Sequence, residues 1–130
     1  MGESRDYKEW VAFAKQDLDS AVYLKKMVPL PIEIICYHCH QCAEKMLKAL
    51  LFKIHYRVPR THDLMVLYNI SKRRFHKVKE LKDECIDLTD YSVSARYPYN
   101  IELEEYDALN AIDSATSIYE QVQIILNSLK

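Results

Sequence analysis

The sequence predicts an all-α protein, an up-and-down antiparallel bundle of four main helices with a short extra one. Three observations carry this. Glycine occurs once in 130 residues, whereas a β-rich chain of this length would need glycine at its turns and bulges. Apolar residues recur at three- and four-residue spacing through long stretches, the period of one helix face. The four prolines, at 29, 31, 59 and 98, are tolerated at helix starts and in loops but not inside helices, so they divide the chain into four long segments. One domain spans residues 1–130, long enough to bury a real core.

The first helix is expected from about Ser4 to Met27, capped by Ser4 or Asp6. Trp10, Phe13, Ala14, Asp17, Leu18, Ala21 and Leu24 share its inner face, so Asp17 among them needs a partner. The second runs from Pro31, suited to a first turn, to about Tyr56. It places Ile35, Cys39, Cys42, Ala43, Met46, Ala49 and Leu50 on a broad apolar face. His38, Gln41 and Lys45 form a narrow polar stripe, with Glu44 and Lys48 at its edge.

The segment from Thr61 to about Ala95 is too long for one helix of so small a bundle. Thr61 is expected to cap a short helix through Leu64, Leu67 and Tyr68, with a break at Ser71 and Lys72-Arg73-Arg74. A longer helix through Phe75, Val78, Leu81, Cys85, Leu88 and Tyr91 follows. Pro98 pushes Tyr97 out of the helical region. The last helix, about Glu102 to Ser128, has an acidic first turn that suits the helix dipole. Its inner face is read as Leu109, Ile112, Thr116, Tyr119, Gln123, Leu126 and Leu129.

Net charge is −1, unevenly spread: residues 44 to 82 hold eleven Lys or Arg against three Asp or Glu, while residues 97 to 129 hold six acids and no Lys or Arg. Two solvated faces of opposite sign would account for this. So would a basic surface for phosphates together with an acidic helix for a basic partner or a second copy. No apolar run approaches the ~20 residues of a membrane span, and the charged N-terminus has no signal-peptide core. The expectation is a cytoplasmic protein, away from membranes, with reduced thiols.

Three blocks, in order, resemble the HEPN family: Ala14-x-x-Asp17-Leu18-x-x-Ala21; the run from Cys36 through Ala49 followed by Thr61-His62-Asp63-Leu64; and Arg96-Tyr97-Pro98 after Asp90 and Tyr91. The resemblance implies a helical bundle that often dimerises and works with a minimal nucleotidyltransferase, as a partner or a fusion. It also implies a place in a toxin–antitoxin pair, with RNA cleavage in some relatives. Those relatives carry an arginine followed four to six residues later by a histidine near the last helix. This chain departs there: its histidines are 38, 40, 55, 62 and 76, so none follows Arg96. Arg57 to His62 has the spacing but is interrupted by Pro59.

Cys36, Cys39 and Cys42 read as small buried packing residues rather than zinc ligands, which usually come from separate turns or elements. Neither a metal nor a cofactor is expected, and no serine-histidine-acid or cysteine-histidine unit is readable. The candidate ligand-binding residues are His38, Gln41, Lys45, His62, Arg96 and Tyr97, expected to line one polar cleft. Lys45 or Arg96 would hold phosphate, His38 or Gln41 would read a base or ribose, and Tyr97 would stack. A hydrogen-bonded polar layer inside the bundle is the competing account.

The functional expectation is a non-catalytic module, a homodimer, that binds nucleotide or a nucleotidyltransferase subunit. The alternatives are an RNA-cleaving toxin with a degenerate motif built on Arg96 and His62, and a dimerising scaffold without ligand.

Overall fold

A computed structural model describes residues 6–92 and 102–129. Among them the chain forms α1 (Tyr7–Leu24), α2 (Ile32–Lys53), α3 (Leu64–Arg74), a 3₁₀ helix (His76–Leu81), α4 (Lys82–Leu88) and α5 (Glu105–Ser128). No strand occurs among these residues, and no helix among them is long and apolar enough to cross a membrane.

The centre of the bundle is α2, which packs against α1, α3, α4 and α5. Its side chains show why. Ile35, Cys39, Cys42, Ala43, Met46, Ala49 and Leu50 are fully buried, as the three- and four-residue spacing requires. So are Leu47 and Leu51, which widen the apolar arc. The cysteines are small enough to let neighbouring helices approach. Burial pushes the Cys36, Cys42 and Cys85 thiols up to about 12 and Cys39 higher still.

The helix ends have local causes. Asp6 caps α1 by accepting from the Lys8 amide at 2.9 Å. Glu104 and Asp107 form a reciprocal capping box at the start of α5, the Glu104 amide donating to Asp107 Oδ2 at 2.7 Å. α2 closes in a Schellman motif. The His55 amide donates to the Phe52 carbonyl at 3.0 Å and the Tyr56 amide to the Leu51 carbonyl at 2.9 Å. This geometry demands a left-handed residue, and His55 supplies it with φ 60°.

Several boundaries differ from expectation. Helix α1 is shorter than Ser4–Met27, and α2 ends at Lys53 rather than Tyr56. The cap of α3 is Asp63, whose carboxylate accepts from Met65 and Val66 amides; Thr61 Oγ1 instead accepts from the Asp63 amide. The basic run ends α3 rather than breaking it earlier. The expected long helix after Phe75 is a 3₁₀ turn followed by the seven-residue α4. Its apolar positions Val78, Leu81, Cys85 and Leu88 are nevertheless buried. α5 begins at Glu105, not Glu102, and its inner face is rotated. Ala108, Ala111, Ala115, Ile118 and Val122 are buried, whereas Leu109 is 43% exposed. Ile112 and Leu126 of the expected face are buried as well, but alanines at 108, 111 and 115 occupy much of the buried arc and Leu109 turns outward. Ser114 donates to Asp87 at 3.1 Å and Ser117 to Glu84 at 3.4 Å, tying α5 to α4.

Candidate functional site

The polar stripe of α2 is organised around two carboxylates. The first is Asp17, which α1 carries on its buried face opposite the middle of α2. Asp17 Oδ1 lies 2.8 Å from His38 Nδ1, and Oδ2 accepts from Lys45 Nζ. His38 and Lys45 are seven residues apart, two helical turns, so they project from the same face. Burial raises the Asp17 carboxyl, but the bonds from His38 and Lys45 outweigh it and hold the group below its ordinary value.

The second carboxylate is Glu44, which α2 itself supplies. Its side chain is 4% exposed. Lys48, one turn on, donates to Oε2 at 2.9 Å. His62 reaches it from the segment that leads back from the end of α2, with Nδ1 at 3.1 and 3.2 Å from the two oxygens. Gln41 Nε2 lies 3.5 Å from Glu44 Oε1 and equally far from His40 Nδ1. His40 is fully buried, and its Nε2 finds no hydrogen-bond partner among the described residues. Burial lowers the His40 pKa, against the opposing influence of Glu44.

The expected site residues thus separate into two adjoining groups. His38 and Lys45 meet on Asp17; Gln41 and His62 meet on Glu44. Arg96 and Tyr97 lie outside the described residues. Sequence reasoning marked Asp17 as needing a partner but left Glu44 at the margin of the stripe, although the Glu44–Lys48 spacing of four residues is the standard helical ion-pair register. His40, which was not among the expected site residues, is a buried neighbour of the second group. Among the described residues no group of three or more His, Cys, Asp or Glu side chains is placed to hold a metal ion.

Beside the Asp17 group a shallow groove runs between α1 and the first half of α2. Phe13, Gln16, Ser20, Tyr23, Ile34 and His38 line it. Phe13, expected in the core, is 55% exposed, Tyr23 69% and Ile34 47%. His38 belongs to both features: its Nδ1 lies against Asp17 while the residue lines the groove, and in the tautomer whose Nδ1–H donates to Asp17 the Nε2 lone pair is an acceptor.

The comparisons with known proteins agree with this architecture. The HEPN domain family model matches residues 7–125. The chain belongs to the HEPN family. The crystal structure of an archaeal HEPN homologue superimposes with a TM-score of 0.70 at 23% identity, covering 95% of this chain and 99% of that one. At that identity the likeness speaks for the fold. No curated protein matches the chain. The HEPN assignment rests on nearly the whole described length, from the first residue of α1 to the last turn of α5.

Proposed function

We propose that this HEPN chain is a non-catalytic module that binds a nucleotide in the groove between α1 and α2. The observation that carries the reading is the position of His38, fixed by Asp17 and shared between the polar stripe and a groove walled by Phe13 and Tyr23. Exposed rings offer faces for a base. The imidazole Nε2 accepts from an exocyclic amine or ribose hydroxyl, while Lys45, expected from the sequence to hold phosphate, is engaged by Asp17. Absence of a histidine after Arg96 supports binding over RNA cleavage. The HEPN resemblance supports a role beside a nucleotidyltransferase subunit, as in a toxin–antitoxin pair.

Calorimetric titration with AMP, ATP, GTP and UTP tests the proposal. Binding of at least one nucleotide is expected, weakened about tenfold by His38→Ala, the loss of roughly one hydrogen bond of 1.4 kcal/mol. No heat from any nucleotide, or equal binding by the variant, overturns it.

A second reading, a homodimer sealed along the same groove, is favoured by the exposure of Phe13, Tyr23 and Ile34 together. Sedimentation at high micromolar concentration should then show a dimer that Tyr23→Glu dissociates; a monomeric wild type rejects it.

A further inference from the structure

The basic half of the chain carries three cations stacked on tyrosines, on segments that do not line the groove. Lys53 Nζ sits 4.6 Å from the Tyr7 ring centroid, Arg74 Cζ 5.0 Å from Tyr56, and Lys72 Nζ 5.3 Å from Tyr68. The end of α2, the residues just after it and the last turns of α3 supply the cations and two of the three rings. Tyr56 follows Lys53 by three residues, Arg74 crosses from the end of α3 to reach it, and the Tyr68 hydroxyl donates to the Lys79 carbonyl at 3.4 Å. Arg57, Arg60, Arg73, Lys77 and Lys79 are exposed. Residues 53 to 82 hold nine Lys or Arg against two acids, Asp63 and Glu80, and Asp63 is spent capping the other end of α3.

We propose that this surface docks single-stranded nucleic acid through its phosphates. Stacking on tyrosine restrains long cationic side chains before binding, so less rotamer freedom is lost when a phosphate arrives. The donors of a guanidinium lie in its plane, so a ring against its face leaves them available. Phosphate contacts of this type need no base code, and half-buried Tyr7 and Tyr56 add aromatic surface on which unpaired bases stack, a contact a duplex cannot make. The inference does not depend on the nucleotide groove, because none of these residues lines it.

The test is fluorescence anisotropy with a labelled 20-nucleotide single-stranded RNA, the matching single-stranded DNA and the duplex. Two variants carry the same charge change at different places. Arg73→Glu/Arg74→Glu strikes this surface. Lys25→Glu/Lys26→Glu lies just beyond the C-terminus of α1, at the far end of an 18-residue helix, about 27 Å away. Single strands should bind more tightly than duplex, with log affinity falling against log salt at a slope of about −0.7 per phosphate neutralised. The first variant should lose at least tenfold in affinity and the second under threefold, with helicity unchanged in both by circular dichroism. If charge reversal unfolds the first, Arg73→Gln/Arg74→Gln replaces it, with a loss of at least threefold expected. Equal losses in the two variants, tighter binding of duplex, displacement by poly-glutamate as efficient as by RNA, or no binding at all would each overturn the proposal.

Discussion

His38 Nδ1 and Asp17 Oδ1 lie 2.8 Å apart across the α1–α2 interface, joining residues 21 positions apart in the chain. Lys45 takes the other oxygen of the same carboxylate. One acid on the buried face of α1 therefore sets the register of that helix against α2. Sliding α1 by a residue would strand an anion among Cys42 and Leu18 and leave a lysine and a histidine without it.

Asp17→Ala should therefore destabilise the fold beyond the loss of a few atoms. With its side chain 12% exposed, Asp17 makes charge-assisted bonds worth about 2–3 kcal/mol together after desolvation. Urea denaturation measures this, with Asp17→Asn falling between the two. The folded carboxyl lies below its ordinary value of 3.8, so its contribution is complete above that pH and is lost as pH falls through the lower folded value. Asp17→Ala should flatten the acid limb of the stability curve in that window; an unchanged limb would contradict the assignment.

His40 acts in the same direction, in a higher pH window. Burial lowers its pKa from 6.5. Below that pH the unfolded chain takes up a proton that the folded chain resists, so stability falls on acidification until the folded value is reached. The slope contributed is at most about 1.4 kcal/mol per pH unit. His40→Asn should reduce the loss of stability between pH 7 and 5.5, measured by urea midpoints at each pH. What matters is the slope, since the variant shifts the whole curve through repacking.

The four cysteines are free and buried, and their thiols are pushed to about 12 or beyond. Thiolate is the reactive form, so the native protein should react with Ellman's reagent only at the rate of opening, and release four equivalents in guanidinium. Rapid native reaction of even one thiol would place a cysteine outside the core.

Periodicity made the core of α2 legible because a central helix buries almost all of its apolar residues, leaving little choice of face. It misled for α5 and Phe13. The first turns of α5 bury Ala108, Ala111 and Ala115, which carry little hydrophobic weight, so the larger Leu109 drew the face one residue away from Ala108. Phe13 lies one position before the buried Ala14, and a groove keeps it open. At the site, the stripe of His38, Gln41 and Lys45 followed from helical arithmetic, and Asp17 stood out as an acid among apolar residues. The meeting of His62 with Glu44 did not follow, because it depends on how the chain reverses after α2. Nothing in the spacing of 54 to 61 says that the segment runs back along the helix it has just left.

That reversal turns on His55, which leads to the last prediction. The Schellman closure of α2 places this residue at φ 60°, where a Cβ crowds the following carbonyl oxygen at a cost of about 1–2 kcal/mol. Glycine is the usual occupant, yet the chain's single glycine is Gly2. His55→Gly should relieve the crowding and partly offset the gain through a freer unfolded chain, about 0.5–1 kcal/mol. The net is a stabilisation of about 0.5–1 kcal/mol, visible as a higher urea midpoint. His55→Val, β-branched and ill-suited to this region, should shift the midpoint the other way. Because the turn also aims His62 at Glu44, His55→Val should loosen that contact, and the amide of Asp63, held by Thr61 Oγ1 at 3.0 Å, should exchange faster with solvent deuterium. A glycine variant no more stable than the wild type would mean that the closure at His55 is not the strained left-handed turn described.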